Sequence, residues 1–298
     1  MEKYKPPIII DEIQYAPDLM IYIKILVDKD RKNGQFWLTG SQKFNLMKEI
    51  SESLAGRIAI IDLLGLSQKE ISKESQNSKP FLPLNKYKNF RSLGLSAVYK
   101  QIWKGSYPEL YRKKGMDWNQ FYSSYLQTYL KRDIRDLSQV ADEQVFLKFL
   151  RVIAARTGQL LNYSEVANDI SVSVNTVKNW ISLLETSGII FLLHPYYTNL
   201  TKRIIKTPKL YFLDTGLVAY LLGWENEKVL ERGAMNGAFF ETYVVIEIIK
   251  SYWHNGKSLL NCRTHREMTH FTLVCKDKKI VKVPRGPSER RERLRSGF

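Results

Sequence analysis

The sequence predicts an α/β protein whose first part is a parallel sheet with helical crossovers. Three observations carry this. Ile8-Ile9-Ile10 is a continuous β-branched run closed by Asp11-Glu12, the pattern of a strand buried on both faces with carboxylates at its C-terminal edge. Residues 18–31 place Leu19, Tyr22, Ile23, Leu26 and Val27 on a helical stripe, with Pro17 at the helix start. Phe36 to Thr39, closed by Gly40-Ser41, and Arg57 to Leu63 read as a second and a third strand, with another helix over 43–54 between them. Strands alternating with helices in this order pair in parallel through right-handed crossovers.

Beyond residue 71 the organisation changes. Residues 72–92 are dominated by Ser, Asn, Pro and Lys and read as a linker or surface loop. Helical patterns resume at 94–104 and run through 117–137, followed by a compact set of short helices over 143–194. Residues 208–224 read as a strand followed by a helix, and 237–253 as a long helix with Phe240, Val244, Ile248 and Tyr252 four apart. From about Ser258 the apolar periodicity fades, and the chain ends in SERRERLRSGF, a basic stretch expected to be disordered. The expected units are 1–71, 72–92, 93–207, 208–257 and 258–298.

Composition bounds the partners. Hydrophobic residues at 44% and charged residues at 26% suit a globular protein with a real core. The net charge of +16 points to an acidic partner, nucleic acid first and an anionic membrane surface second; a lysine-rich proteome is the bland alternative. Cys262 and Cys275 match no zinc or redox spacing. The N-terminus has no long apolar core of a signal peptide, and no apolar run is long enough to span a bilayer. The expectation is a cytoplasmic protein without a membrane partner.

The chemistry starts at the first strand. A carboxylate pair after an apolar strand can bind hydrated magnesium and polarise a water toward a γ-phosphate. Those roles fall to Asp11 (Mg2+ through water) and Glu12 (water activation). Thr39 or Ser41, at the end of a neighbouring strand, can reach the phosphate-bound water. Arg57 can serve a neighbouring subunit as a charge-stabilising finger, which implies self-association; a surface ion pair is the competing role.

A second signal lies in 143–207. A helix over 143–157, a short helix Tyr163 to Ile170, a turn at Ser171-Val172 and a third helix over 174–187 with Ser173 as N-cap make a helix-turn-helix pattern. Val174, Val177, Ile181 and Leu184 form the inward stripe. Asn175, Thr176, Lys178 and Asn179 face outward, where short polar side chains reach base edges and lysine reaches phosphate. Two strands joined by a loop with Lys202, Arg203 and Lys206 complete a winged helix with a basic wing. DNA is the expected partner; a protein-contact or spacer role is the alternative.

The run from IIIDEIQ through FWLTGSQ and SESLAGR to GLSQKEI resembles the second half of the ATPase domain of a prokaryotic AAA-type P-loop family. YLQTYLKRDIRDLSQV, ARTGQLLNYSEVAND, PKLYFLDTGLVAYLLGW and GAFFETYVVIEIIKSY resemble the domain of unknown function that follows it. The similarity spans roughly 6–257 and implies ATP and Mg2+ as cofactors. It also implies a restriction-endonuclease-like fold after residue 208, in which Glu241 matches a metal-binding helix glutamate.

Two departures stand out. No G-x-x-x-x-G-K-[ST] phosphate loop occurs in the sequence, and no Glu-x-Lys pair follows Glu241. The expectation is a truncated ATPase fragment with a frame-shifted C-terminus, a DNA-binding-type module and only a vestigial nuclease-like site, unable to hydrolyse ATP alone. The alternative is a non-enzymatic DNA-binding or protein-interaction module.

Overall fold

The computed structural model describes residues 4–40, 53–74, 93–113, 115–130, 143–194, 207–256, 263–264, 271–274 and 280–283. Strand β1 (Ile8–Ile10), helix α1 (Leu19–Lys29) and strand β2 (Phe36–Leu38) form the first unit. β1 and β2 pair in parallel with Ile8 opposite Phe36, Ile9 opposite Trp37 and Ile10 opposite Leu38. The helix between them is the crossover that parallel pairing requires. Because side chains alternate along a strand, Ile10, Phe36 and Leu38 pack with Ile13, Met20, Ile23 and Leu54. Ile9 and Trp37 point the other way and are 72% and 54% exposed.

The third strand expected at 57–63 is absent: residues 58–63 belong to no ladder among the described residues, and Ile60, Ile61 and Leu63 are exposed. A strand exists only by pairing, and no neighbouring strand among the described residues lies beside this apolar segment. Among the described residues the sheet is therefore two-stranded. The helix expected at 43–54 falls almost wholly outside the described residues.

A short helix α2 (Gln68–Ile71) follows, opened by a capping box in which Ser67 and Glu70 satisfy each other's amides. The main body begins at α3 (Leu95–Lys104), α4 (Glu109–Arg112) and α5 (Trp118–Tyr125), the last running on into a π-helical turn, Leu126–Leu130. Trp103, Tyr107, Trp118, Phe121 and Tyr122 pack ring on ring here, with the Trp103 and Trp118 centroids 4.3 Å apart.

Next come α6 (Glu143–Ala154), β3 (Gln159–Leu160), α7 (Tyr163–Ile170), α8 (Val174–Thr186), β4 (Ile190–Leu193) and β5 (Lys209–Phe212). Asn162 caps α7 and Ser173 caps α8, and Ser171 between them takes the left-handed conformation that turns the chain. β5 is the central strand of an antiparallel sheet in the order β3-β5-β4. The boundary expected at 207/208 thus falls inside the β4–β5 connection.

Helices α9 (Thr215–Leu221), α10 (Glu227–Arg232) and α11 (Asn236–Trp253) close the body. Phe149, Ile153, Val177, Leu184, Leu210, Phe212, Val218 and Phe239 share one continuous buried core across 99–239. After it, the stretch expected to be disordered contains strands β6 (Arg263–Thr264), β7 (Phe271–Val274) and β8 (Ile280–Val283), paired as an antiparallel meander. Phe271, Val274, Ile280, Val281 and Val283 are strand-favouring residues amid the basic composition. Among the described residues no helix is long and apolar enough to cross a membrane.

Candidate functional site

The carboxylates after β1 and the threonine after β2 meet because the two strands end side by side. Thr39 donates its amide to Ile10 O at 2.9 Å, and Ile13 donates its own to Thr39 O at 3.0 Å. This continues the main-chain pairing past the strand ends. The Thr39 hydroxyl consequently donates to the Asp11 carboxylate, and the Glu12 amide lies 3.4 Å from Thr39 Oγ1. Glu12 stands at φ 51°, ψ 48°, a left-handed conformation uncommon for any residue with a Cβ and a form of local strain that concentrates at functional positions. Its carboxylate accepts from the Gln14 side-chain amide. Asp11, Glu12 and Thr39 are thus one cluster at the C-terminal edge of the parallel pair, where α/β sheets place ligands. Ser41 lies outside the described residues.

Arg57 does not join that cluster. Its guanidinium closes on Asp28 of α1, with Nε 2.6 Å from Oδ1 and Nη2 3.0 Å from Oδ2, the bidentate geometry arginine favours. The hydrogen bond from Arg57 holds the Asp28 carboxyl below its usual range, and Asp28 in turn raises the guanidinium.

At the start of α8, Asn175, Lys178 and Asn179 are exposed, while Thr176 is half-buried with its hydroxyl 2.8 Å from that of Ser173. The opposite face buries Val177, Ile181 and Leu184, as the helical spacing predicts, and also Trp180, which packs on Phe146 and Phe149. Lys202, Arg203 and Lys206 lie outside the described residues.

Glu241 of α11 accepts from Lys209 Nζ and from the Tyr211 hydroxyl, both at 2.7 Å. These bonds pin α11 to β5, and burial followed by the Glu241 charge pushes the Tyr211 phenol well up. Among the described residues no cluster of three or more His, Cys, Asp or Glu is placed to hold a metal ion.

The best-built polar centre is one that the sequence pattern does not single out. Asp214 is 6% exposed. Its Oδ1 accepts from the Tyr122 hydroxyl and the Leu217 amide, both at 2.7 Å. Its Oδ2 accepts from the Ser106 amide at 2.6 Å and the Ser106 hydroxyl at 2.9 Å. Burial first, then the Asp214 charge, pushes the Tyr122 phenol well up. An Asp before Thr-Gly at the end of an apolar strand is an N-cap signal, and that much is readable from sequence. The partners from α5 and the turn after α3 are not.

Residues 1–72 match a protein-family model described as an AAA domain, and residues 96–228 match one described as a domain of unknown function (DUF8612). An uncharacterized protein of Mycobacterium tuberculosis is 28% identical over 242 residues, covering 81% of this chain and 50% of that protein. Uncharacterized proteins of Methanocaldococcus jannaschii and Haemophilus influenzae are 23% and 24% identical, covering 97% and 81% of this chain and 63% and 57% of theirs. No solved structure matches. The chain therefore spans about half to under two thirds of the curated relatives it matches, joining a segment similar to an AAA domain to one similar to a domain of unknown function.

Proposed function

We propose that residues 4–63 are the metal- and water-handling half of an AAA-type ATPase unit, and that the chain turns over ATP only when another polypeptide segment supplies the phosphate-binding loop. The observation that carries the reading is the Asp11–Thr39 hydrogen bond at the C-terminal edge of the parallel β1–β2 pair, with Glu12 beside it. The donor set fits a hydrated Mg2+, which prefers carboxylate and hydroxyl oxygens and keeps several waters. Bound with ATP, Mg2+ supplies charge neutralisation at the phosphates. With that group bound, Asp11 would hold the metal's water, Glu12 would orient a water and take its proton, and Thr39 keeps Asp11 in register. Arg57 reaches a neighbouring subunit only after leaving Asp28.

Exposure supports the idea of a half unit. Ten of the fourteen large apolar side chains exposed among the described residues lie within 4–63. On α1, Ile21, Tyr22 and Ile25 are more than half exposed on the side away from Met20 and Ile23. Parallel sheets are covered on both faces, and contiguous exposed apolar patches mark contact surfaces. The test is steady-state phosphate release from the chain alone, where the expected rate is that of buffer.

A second reading has its own observation. The order α6-β3-α7-α8-β4-β5, with the sheet order β3-β5-β4, matches the arrangement of a winged helix. In this reading α8 presents Asn175, Lys178 and Asn179 to the major groove of DNA, and Lys202, Arg203 and Lys206 meet phosphate from the wing. Neutralising those three basic residues should weaken duplex binding uniformly across sequences. It should also lower the salt slope by about 0.9 for each phosphate no longer neutralised. A gel shift showing no affinity at low salt contradicts it.

A further inference from the structure

Between the AAA-like unit and the helical body runs a short segment, residues 64–71, whose main chain bonds to the body at Leu66 and Gln68. Leu66 donates its amide to Ser106 O at 2.7 Å. Its carbonyl accepts from Lys250 Nζ at 2.8 Å. Two residues on, the Gln68 amide donates to Glu247 Oε2 at 2.7 Å. Lys250 and Glu247 sit one turn apart on α11 and pair with each other at 3.2 Å. A fourth contact comes from the next turn of the chain, where His254 Nδ1 lies 3.1 Å from Glu70 Oε2. Lys250 is only 2% exposed, so an ammonium has been taken out of water to hold one peptide carbonyl and one carboxylate. Such a group is costly unless its partners stay in place.

The fit is close as well as polar. A Cβ on Gly65 would stand 2.3 Å from Ser106 Oγ and 2.8 Å from Ser106 O. Leu64 packs against the cluster formed by Leu193, Tyr211, Leu213, Val245, Ile248 and Ile249. Ser106, which receives the Leu66 amide, is itself held by Asp214 through its own amide and hydroxyl. Asp214 follows β5, the central strand beside β3 and β4, and caps α9. A path of short hydrogen bonds thus leads from Leu66, through Ser106 and Asp214, to the first turn of α9.

We propose that residues 64–71, the segment that follows the AAA-like unit, are a strap whose docking on α11 is relayed through the Ser106–Asp214 node to the start of α9. Release of the strap removes the main-chain partners of Lys250 and Glu247 and frees Ser106. The Asp214 cap on α9 then loosens while the core of α6 and α8 stays packed. The relay goes beyond the ATPase and DNA readings and depends on neither.

Hydrogen exchange on the full chain tests it. Gly65→Ala sets a Cβ against Ser106 Oγ and the Ser106 carbonyl and evicts the strap. Lys250→Met removes the main-chain reading from the dock side. Each should raise exchange at 64–72 and at the adjoining Ser106, and, at a distance, at Leu217 by at least about tenfold, the loss of roughly one hydrogen bond to a charged group. Amides in 146–153 and 177–184 should keep their protection. The double variant should exchange no faster at Leu217 than the faster single variant, because both act through one contact. Fast exchange confined to 64–72, with Ser106 and Leu217 unchanged, overturns the relay and leaves a plain linker. Additive effects at Leu217 overturn it too. If Lys250→Met does not fold, Gly65→Ala alone decides, by whether Leu217 responds.

Discussion

Asp214→Ala should lower the stability of the helical body by about 3–5 kcal/mol, the cost of stranding several buried donors around one deleted carboxylate. The Ser106 amide and hydroxyl, the Tyr122 hydroxyl and the Leu217 amide all lose their acceptor. Water cannot replace it cheaply, because Tyr122 is fully buried and Asp214 nearly so. Asp214→Asn separates the contributions. Its carbonyl can keep Tyr122 and Leu217, while its amide meets the Ser106 donors head on, so the loss should be smaller and concentrated at Ser106. Gly216→Ala should resemble the alanine variant, since its Cβ would stand 2.1 Å from the Tyr122 hydroxyl and 2.7 Å from the Gly105 backbone. Urea unfolding measures all three. An Asp214→Ala midpoint within error of the parent would show that the node carries no stability.

The second large effect is expected at Trp180→Ala, at about 3–5 kcal/mol, the range for deleting a buried aromatic and leaving a cavity. Trp180 is 6% exposed and its ring centroid lies 5.1 Å from both Phe146 and Phe149. It therefore fastens α8 to α6, and it fixes the angle at which Asn175, Lys178 and Asn179 are presented. A urea midpoint that falls with an unchanged slope is the expected result. A loss below about 1 kcal/mol would mean that the three-ring packing is not what holds α8.

How much of this is readable in the sequence depends on how local the cause is. β1, α1 and β2 are legible because periodicity and a closing turn sit close together along the chain. α7 and α8 are legible because Asn162 and Ser173 mark their starts. The segment after Arg57 reads as a strand, wrongly, because its composition, IAIIDL, is that of one; pairing is a tertiary property that composition does not carry. β3 has two residues and no pattern to find, and it exists because Gln159 and Leu160 lie against β5. The carboxylate cluster is legible as residues, and the structure adds that Thr39 bonds Asp11. The Asp214 node is hidden because its partners lie 92 and 108 residues away in sequence. Glu247 and Lys250 are hidden for the same reason. They are ordinary-looking charges on a helix, and their main-chain partners lie 179 and 184 residues earlier.

On the proposed reading, Asp11, Glu12 and Thr39 make a site with one side built. It has oxygen donors for a hydrated metal and a carboxylate for a water, and the sequence contains no loop of amides and lysine for the phosphates. The bare apolar faces of β1–β2 and α1 say the same thing in packing terms. Steady-state phosphate release, measured with ATP and Mg2+ on the purified chain and on Glu12→Gln, tests this most directly. Both proteins should release phosphate at the rate of buffer. Robust turnover by the parent chain that Glu12→Gln abolishes would contradict the half-site and place a complete one in this chain.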